Sequence, residues 1–350
     1  GLSRRVRPRR DAIPPSHFAR GVEFCNSQMP QRSKSTELFA PAYHALSREM
    51  RPSSAVFSLI STIVGGGVLS LPWAFAQVGL VMGAALLLIS ALVSDFTIYL
   101  LVVSARRSGS ESFEQLAFHA FGPPGRFFTI LLILLLTWAS CVAYLVLLSD
   151  LLTPLLACAF GTHSSSHRLR AGVMVCSAAL VSPMCLLRTM HGLRITSILS
   201  VCSVLLLAGC VGARSIGDRD PVHDILLWPD TWAEALAGGA RALPIFCISF
   251  LCHFNVLTTH SELAYPSRSR VRGVIHATIG LCSLLYLGVG GLGYLHRLGR
   301  TEGNVLRSFA DDDAAINVGR LGLAATLAFS FPLLVLPCCA CASRLIDALA

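Results

Sequence analysis

The sequence predicts an all-α, polytopic membrane protein, and three observations carry that prediction. Of its 350 residues, 54% are hydrophobic and only 13% are charged, against about 25% charged in soluble domains. That leaves too few charges for a water-facing surface, and lipid must cover much of it. The apolar residues gather in runs of about 20, the length that crosses a ~30 Å hydrocarbon core as a helix. The period-2 alternation of a membrane barrel strand is absent from those runs. A mean hydropathy of +0.65 agrees with this reading.

Taken in order, residues 1–51 are rich in Arg, Ser and Pro and lack an apolar period. They read as a disordered basic tail, with a transit peptide as the second reading because acids are scarce. Residues 52–342 form the transmembrane domain, with eight apolar segments at 54–78, 80–103, 127–152, 171–187, 195–213, 235–260, 274–295 and 318–342. Between the second and third, Ser112 to Ala117 is expected to make a short amphipathic helix, and Gly122-Pro123-Pro124-Gly125 to break it. Pro154 closes the third segment. A polar loop, 214–234, precedes the sixth, which contains Pro244. The loop with Asp311-Asp312-Asp313 leads to the eighth and reads as solvated, because the rest of an EF-hand spacing is missing. Residues 343–350 continue a helical run and Gly1 stands where a Met would begin, so the chain reads as cut at both ends.

The net charge is +9, and every positive residue except Lys34 is Arg. These residues sit in the tail and the short loops, without the aromatic interleaving of a nucleic-acid patch, so no nucleic-acid partner is expected. Loop arginines instead orient the chain and meet the headgroups of the lipid bilayer. Counted over loops the two sides tie; Arg32, Lys34, Arg48 and Arg51 break the tie and put the N-terminus in the cytosol. Of 13 cysteines, all but Cys25 lie in or at the ends of spans. Cys338-Cys339-Ala340-Cys341 has no His or carboxylate at ligand spacing and reads as small packing residues. No cofactor is implied.

Gly65-Gly66-Gly67 lies in the middle of the first span. Each glycine there destabilises a helix by about 1 kcal/mol relative to Ala. Backbone groups freed in hydrocarbon must be met by protein or by a water-lined cavity. Such a break can hold a cation on its carbonyls and a carboxylate on its N–H groups; a glycine face packed on a neighbouring helix explains the same residues equally well. The sixth span favours the first reading. Pro244 removes one helix hydrogen bond, and His253 and Asn255 place polar side chains near mid-depth, where they are costly and face the bundle interior. Two interrupted spans, five apart, fit a transporter whose site lies between its repeats.

Specific stretches now resemble a known family. They are Ile63-Val64-Gly65-Gly66-Gly67-Val68-Leu69-Ser70-Leu71-Pro72 in the first span and Ala242-Leu243-Pro244 through Cys252-His253-Phe254-Asn255 in the sixth. Ser261-Glu262-Leu263 with Pro266-Ser267, Gly293-Tyr294-Leu295, Gly319-Arg320-Leu321 and Phe329-Ser330-Phe331-Pro332 follow in order. Over 53–342 the chain resembles the amino acid/auxin permease family, in particular the sodium-coupled neutral amino-acid transporters and their vacuolar relatives. The resemblance implies an inverted-repeat, five-plus-five (LeuT-like) transporter fold of eleven spans, here truncated after the eighth transmembrane helix.

By that resemblance Gly65, Gly66 and Gly67 offer backbone contacts to an amino-acid substrate, with Asn255 and His253 beside them. Ser330 falls where the family places a hydroxyl that binds Na+ together with first-span carbonyls such as that of Val64. Ser61 stands where many sodium-coupled members have Asn, which weakens the case for Na+ and strengthens that for H+. His253 titrates near neutral pH and is the candidate proton carrier, against a hydrogen-bonded structural histidine. The implied activity is secondary transport of neutral amino acids, coupled to Na+ or H+, in the plasma membrane or the vacuole or lysosome; a sensor that binds without transport is the alternative. No paired acids, Ser/His arrangement or metal cluster at one depth supports an enzyme. The oligomeric state is not legible. Asp95 and Asp150 read as interfacial or helix-packing partners and Glu262 as a solvated acid, with a gate pairing to Arg268 or Arg270 as its second reading. Trp138 and Tyr144 read as bundle packing, with cavity lining second.

Overall fold

The computed structural model describes residues 50–110, 112–160, 167–186, 193–217 and 225–349; the expected tail lies outside them except for Met50 and Arg51. Among the described residues the chain is all-helical, and its single β-bridge joins Met50 to Leu263. The helices are α1 (Pro52–Ile63), α2 (Leu71–Val78), α3 (Leu80–Ser108), α4 (Phe113–Phe160), α5 (His167–Leu186), α6 (Leu193–Gly217), α7 (Trp232–Ser249), α8 (His253–Glu262), α9 (Arg268–Arg297) and α10 (Ala314–Leu349). Short 3₁₀ turns occupy Gly66–Ser70, Leu298–Arg300 and Val305–Ser308.

Caps mark several helix starts. Pro52 sits in the first turn of α1, where its missing N–H costs nothing. The Thr231 hydroxyl accepts from the Glu234 N–H at the start of α7, and Ser267 does the same for Arg270 in α9, satisfying amides that the ladder leaves open. α3 ends on Gly109 in the left-handed region, φ 69°, a conformation that suits a residue without Cβ.

The first span is broken: α1 and the helix following the glycines meet at a bend of 54°. The sixth is broken as well, between α7 and α8. Their halves pair antiparallel. On one face, the tail-side face, the Met50 N–H donates to the Glu262 carbonyl and the Ala264 N–H to the Met50 carbonyl, tying the start of α1 to the end of α8. On the opposite face the Leu80 and Val81 N–H groups donate to Leu226 and Leu227, just before α7. α2 packs so closely on α7 that a Cβ at Gly238 would collide with the Gln77 carbonyl. α9 lies across both breaks, with Gly290 and Gly293 against Phe75 and Pro72 of α2. α10 packs against α4, α5 and α6.

Five helices are long and apolar enough to cross a membrane, and the bent first pair makes six. The expected count was eight. The fourth and fifth, α5 and α6, are helical but not among the six, and the described residues stop at Leu186 and resume at Leu193. Outward-facing Leu88, Leu92 and Phe96 of α3 and Leu132, Leu135 and Trp138 of α4 are exposed, as a lipid-covered surface requires. The protein is an integral, multi-pass membrane protein.

Two local expectations need correction. Pro244 does not break the sixth span: α7 runs through it to Ser249, and the break falls at Phe250 to Cys252. Proline is tolerated inside a membrane-spanning helix where local adjustment and neighbouring groups meet the freed carbonyl. The Gly-Pro-Pro-Gly stretch, by contrast, breaks the helix as expected: the short helix from Phe113 and the third span meet at a kink there. Gly122 leaves helical angles, at φ 72° and ψ −160°, and bends α4 into two helical arms. Asp313, finally, is no solvated acid: its Oδ1 accepts from the Ala315 and Ile316 N–H groups and caps α10.

Candidate functional site

The two breaks face each other. α1 ends at Ile63, and Val64 turns away from helix at φ −83° and ψ 78°. The Gly65 N–H folds back onto the Ile63 carbonyl at 2.9 Å. In the sixth span the Phe250 and Leu251 N–H groups reach only Cys247 and Ile248 before α8 begins. A Cβ at Gly67 would sit 3.0 Å from the Ser249 hydroxyl, so the glycines place one break directly on the other.

Tyr286 of α9 closes the gap. It is wholly buried, and its hydroxyl lies 2.9 Å from both the Ile63 carbonyl and the Ser249 carbonyl. One proton serves two acceptors. The Ile63 carbonyl also receives the Gly65 N–H, whereas Ser249 depends on the tyrosine. Phe250 stacks edge-on to the same ring, centroids 5.2 Å apart. Sequence reasoning missed Tyr286. The available signal was a phenol in the middle of a span, which must find a partner in hydrocarbon.

Tyr144 of α4 approaches from the other side. A Cβ on Gly65 would lie 2.5 Å from its hydroxyl, so the absence of a side chain at Gly65 lets a phenol reach the break. Tyr144 therefore lines the site, whereas Trp138, 60% exposed, faces outward and neither packs in the bundle nor lines a cavity.

Asn255 stands on α8, and its Nδ2 donates to the Thr62 hydroxyl at 3.0 Å, fastening α8 to α1 beside the break. The His253 Nε2 lies 2.8 Å from the Thr97 hydroxyl of α3. The Thr97 proton is directed to the Val93 carbonyl at 2.8 Å, which leaves the hydroxyl to accept from Nε2–H. The other ring nitrogen, Nδ1, is then a buried acceptor with no hydrogen-bond partner among the described residues.

The expected cation residues are placed as follows. Ser61 is buried, and its hydroxyl donates to the Ser58 carbonyl of its own helix at 3.2 Å. Val64 is buried at the break. Ser330 is half-buried on α10, and its hydroxyl has no hydrogen-bond partner among the described residues.

Asp95, Asp150 and Asp313 are paired. Asp95 Oδ1 meets His276 Nδ1 at 2.8 Å, joining α3 to α9. The Arg272 guanidinium donates to His276 Nε2 and lies over the Tyr99 ring. Asp150 pairs with Arg170 and Arg307. Glu262 is exposed at the end of α8, and neither Arg268 nor Arg270 pairs with it: Arg268 donates to the Tyr99 hydroxyl and Arg270 to the Ala264 and Tyr265 carbonyls. Asp313 also binds Arg214 at 2.8 Å. Burial alone would raise its carboxyl, but the Arg214 contact and two backbone amides outweigh that and hold it below its ordinary value.

Residues 49–347 match the family described as transmembrane amino acid transporter protein. The chain is similar to a cow protein named putative sodium-coupled neutral amino acid transporter 11, 25% identical over 287 residues, covering 81% of this chain and 61% of the relative. A zebrafish protein of the same name is 28% identical over 285 residues, covering 80% and 62%. Human solute carrier family 38 member 10 is 29% identical over 288 residues, covering 81% of this chain and 25% of the relative. The chain thus spans about three-fifths of the length of the first two relatives and a quarter of the third.

Proposed function

The chain belongs to the transmembrane amino acid transporter family, and from that premise we propose that it carries the substrate site of a secondary active transporter of neutral amino acids. The observation behind this reading is the meeting of two helix breaks inside the apolar bundle, with one tyrosine hydroxyl shared between their carbonyls. Freed backbone groups are expensive in hydrocarbon unless protein or a polar solute meets them. The antiparallel pairing of α1 and α2 with α8 and α7 supports an inverted-repeat architecture, in which α5 and α6 complete a count of eight spans.

In this reading the carboxylate of the amino acid meets the N–H groups of Gly66 and Gly67, at the start of a helical segment running toward α2, because the Gly65 N–H is committed to the Ile63 carbonyl. Tyr144 and Tyr286 bound the site from α4 and α9. The apolar side chain of the substrate lies against the surrounding aliphatic walls. Alternating access follows if the broken spans rock against the others and open this site to each face in turn. Na+ would take hydroxyl and carbonyl oxygens from Ser330, Ser61 and Val64. H+ would take the open Nδ1 of His253, whose ring is already anchored through Nε2. The names of the relatives favour Na+; the serine at position 61 and the buried imidazole acceptor favour H+.

Uptake of tritiated L-alanine, L-leucine and L-glutamine into cells expressing the protein tests the reading, with external Na+ and pH varied separately. We expect accumulation above control that rises with one of the two ions. Flux equal to control for all three amino acids under every condition would remove transport, and saturable binding without flux would mark a sensor.

A further inference from the structure

A second polar site lies beyond the breaks, at the face opposite Met50. It is a cavity of about 510 Å³, within the usual range of small-molecule pockets. Its walls carry three carboxylates, Asp150, Glu302 and Asp311, and three guanidiniums, Arg170, Arg307 and Arg320. The lining thus has both signs and a formal balance of zero.

The charges are not all equivalent. Arg320 is 1% exposed and is consumed by the fold: it donates to the Asn317 side chain and to the Leu306, Phe309 and Ala310 carbonyls. It holds the wall in shape. Arg170 and Arg307 instead converge on one atom, Asp150 Oδ1, at 2.7 and 3.0 Å. Each engages it through one nitrogen of a guanidinium that has five N–H donors. Asp150 Oδ2 has no hydrogen-bond partner among the described residues. Two guanidiniums and a carboxylate whose remaining donors and oxygen have no partner among the described residues can receive a carboxylate and an ammonium at once.

Position makes this more than a surface feature. Asp150 is six residues beyond Tyr144 on α4, about 9 Å along a helix. The turn Val305–Ser308, which carries Arg307, packs on the turn Gly66–Ser70 at the first break. A solute in the cavity is one packing layer from the break.

We propose that this cavity is a vestibule that binds a zwitterionic amino acid before it reaches the helix breaks. The carboxylate pairs with Arg170 and Arg307, and the ammonium pairs with Asp150 and the neighbouring acids. The inference rests on the transport reading and adds a second site to it.

Equilibrium binding to the purified full chain in lipid nanodiscs is the test, with tritiated L-alanine, L-leucine and L-glutamine as probes. We expect two saturable sites per chain for at least one probe. Arg307→Gln or Arg170→Gln should weaken one of them at least tenfold and leave the other, whereas Gly65→Val should remove the other. Acetate and ethylammonium, each carrying one of the two charges, should compete at the vestibule at least tenfold less well than the amino acid. A single site that is lost in Gly65→Val and untouched in both arginine variants would overturn the vestibule and leave the transport reading standing. Saturable binding of none of the probes would overturn both. Competition by acetate equal to that of the amino acid would reduce the cavity to an anion site and overturn the proposal. Circular dichroism and elution volume decide which arginine variant is folded and is the one to interpret.

Discussion

Gly65 has no side chain, and the Tyr144 hydroxyl occupies the space where one would be. Gly65→Ala therefore sets a methyl group against a phenol oxygen, and the site must open to relieve it. We expect Gly65→Ala to lower uptake at least tenfold, and the Gly65→Ala/Tyr144→Phe pair to recover part of that loss. Removing the hydroxyl leaves the next ring atom at 3.4 Å. Uptake kinetics on the two single variants and the pair check this, and a pair no better than Gly65→Ala would refute it. The glycines and His253 are legible in a sequence because a polar or flexible residue in an apolar span needs a reason. Tyr144 is not: an aromatic in a span fits lipid, packing and cavity alike, and only the helix facing it decides. Trp138, about one and two-thirds turns earlier on α4, faces outward.

Among elements, α10 begins where Asp313 meets two of its first amides and the Arg214 guanidinium. Because the folded protein holds this carboxyl below its ordinary value of 3.8, its contribution is full above that value and disappears as pH falls through the lower folded value. Asp313→Ala should cost about 1 kcal/mol, the typical worth of a helix cap. The loss should be visible as a lower thermal midpoint in detergent at pH 7 and should shrink below pH 4. An equal loss at both pH values would contradict the assignment. The acidic run looked like a solvated loop because neither the cap nor Arg214, 99 residues away, is marked by local spacing. The sixth span shows the same limit. Pro244 is the visible breaker, yet the helix survives it and ends at Ser249. There Tyr286 meets the Ser249 carbonyl and Asn255 ties α8 to α1.

For the molecule as a whole, Tyr286 is the point where α9 holds both broken spans. Its hydroxyl contacts carbonyls contributed by α1 and by α7, so the relative placement of the two breaks depends on one group. Tyr286→Phe leaves the ring and its contact with Phe250 in place but deprives a buried carbonyl of its donor, at a cost of about 1–3 kcal/mol. We expect a lower thermal midpoint together with a raised KM for amino-acid uptake, since a site built from both breaks loses its alignment. A lower midpoint with unchanged KM would make the tyrosine structural only.

The sequence by itself determined the solvent in which this protein folds, the order of its apolar segments and which two spans are interrupted. Those properties follow from composition, run length and residues that a continuous helix in lipid disfavours. The tertiary structure decided where the sixth span breaks, which tyrosines reach the breaks, and that Asp150, Arg170 and Arg307 share one cavity. These outcomes depend on pairings between residues far apart in the chain. In lipid such pairings are selected by which freed carbonyl or unpaired charge has a partner within reach, a condition that no single segment contains.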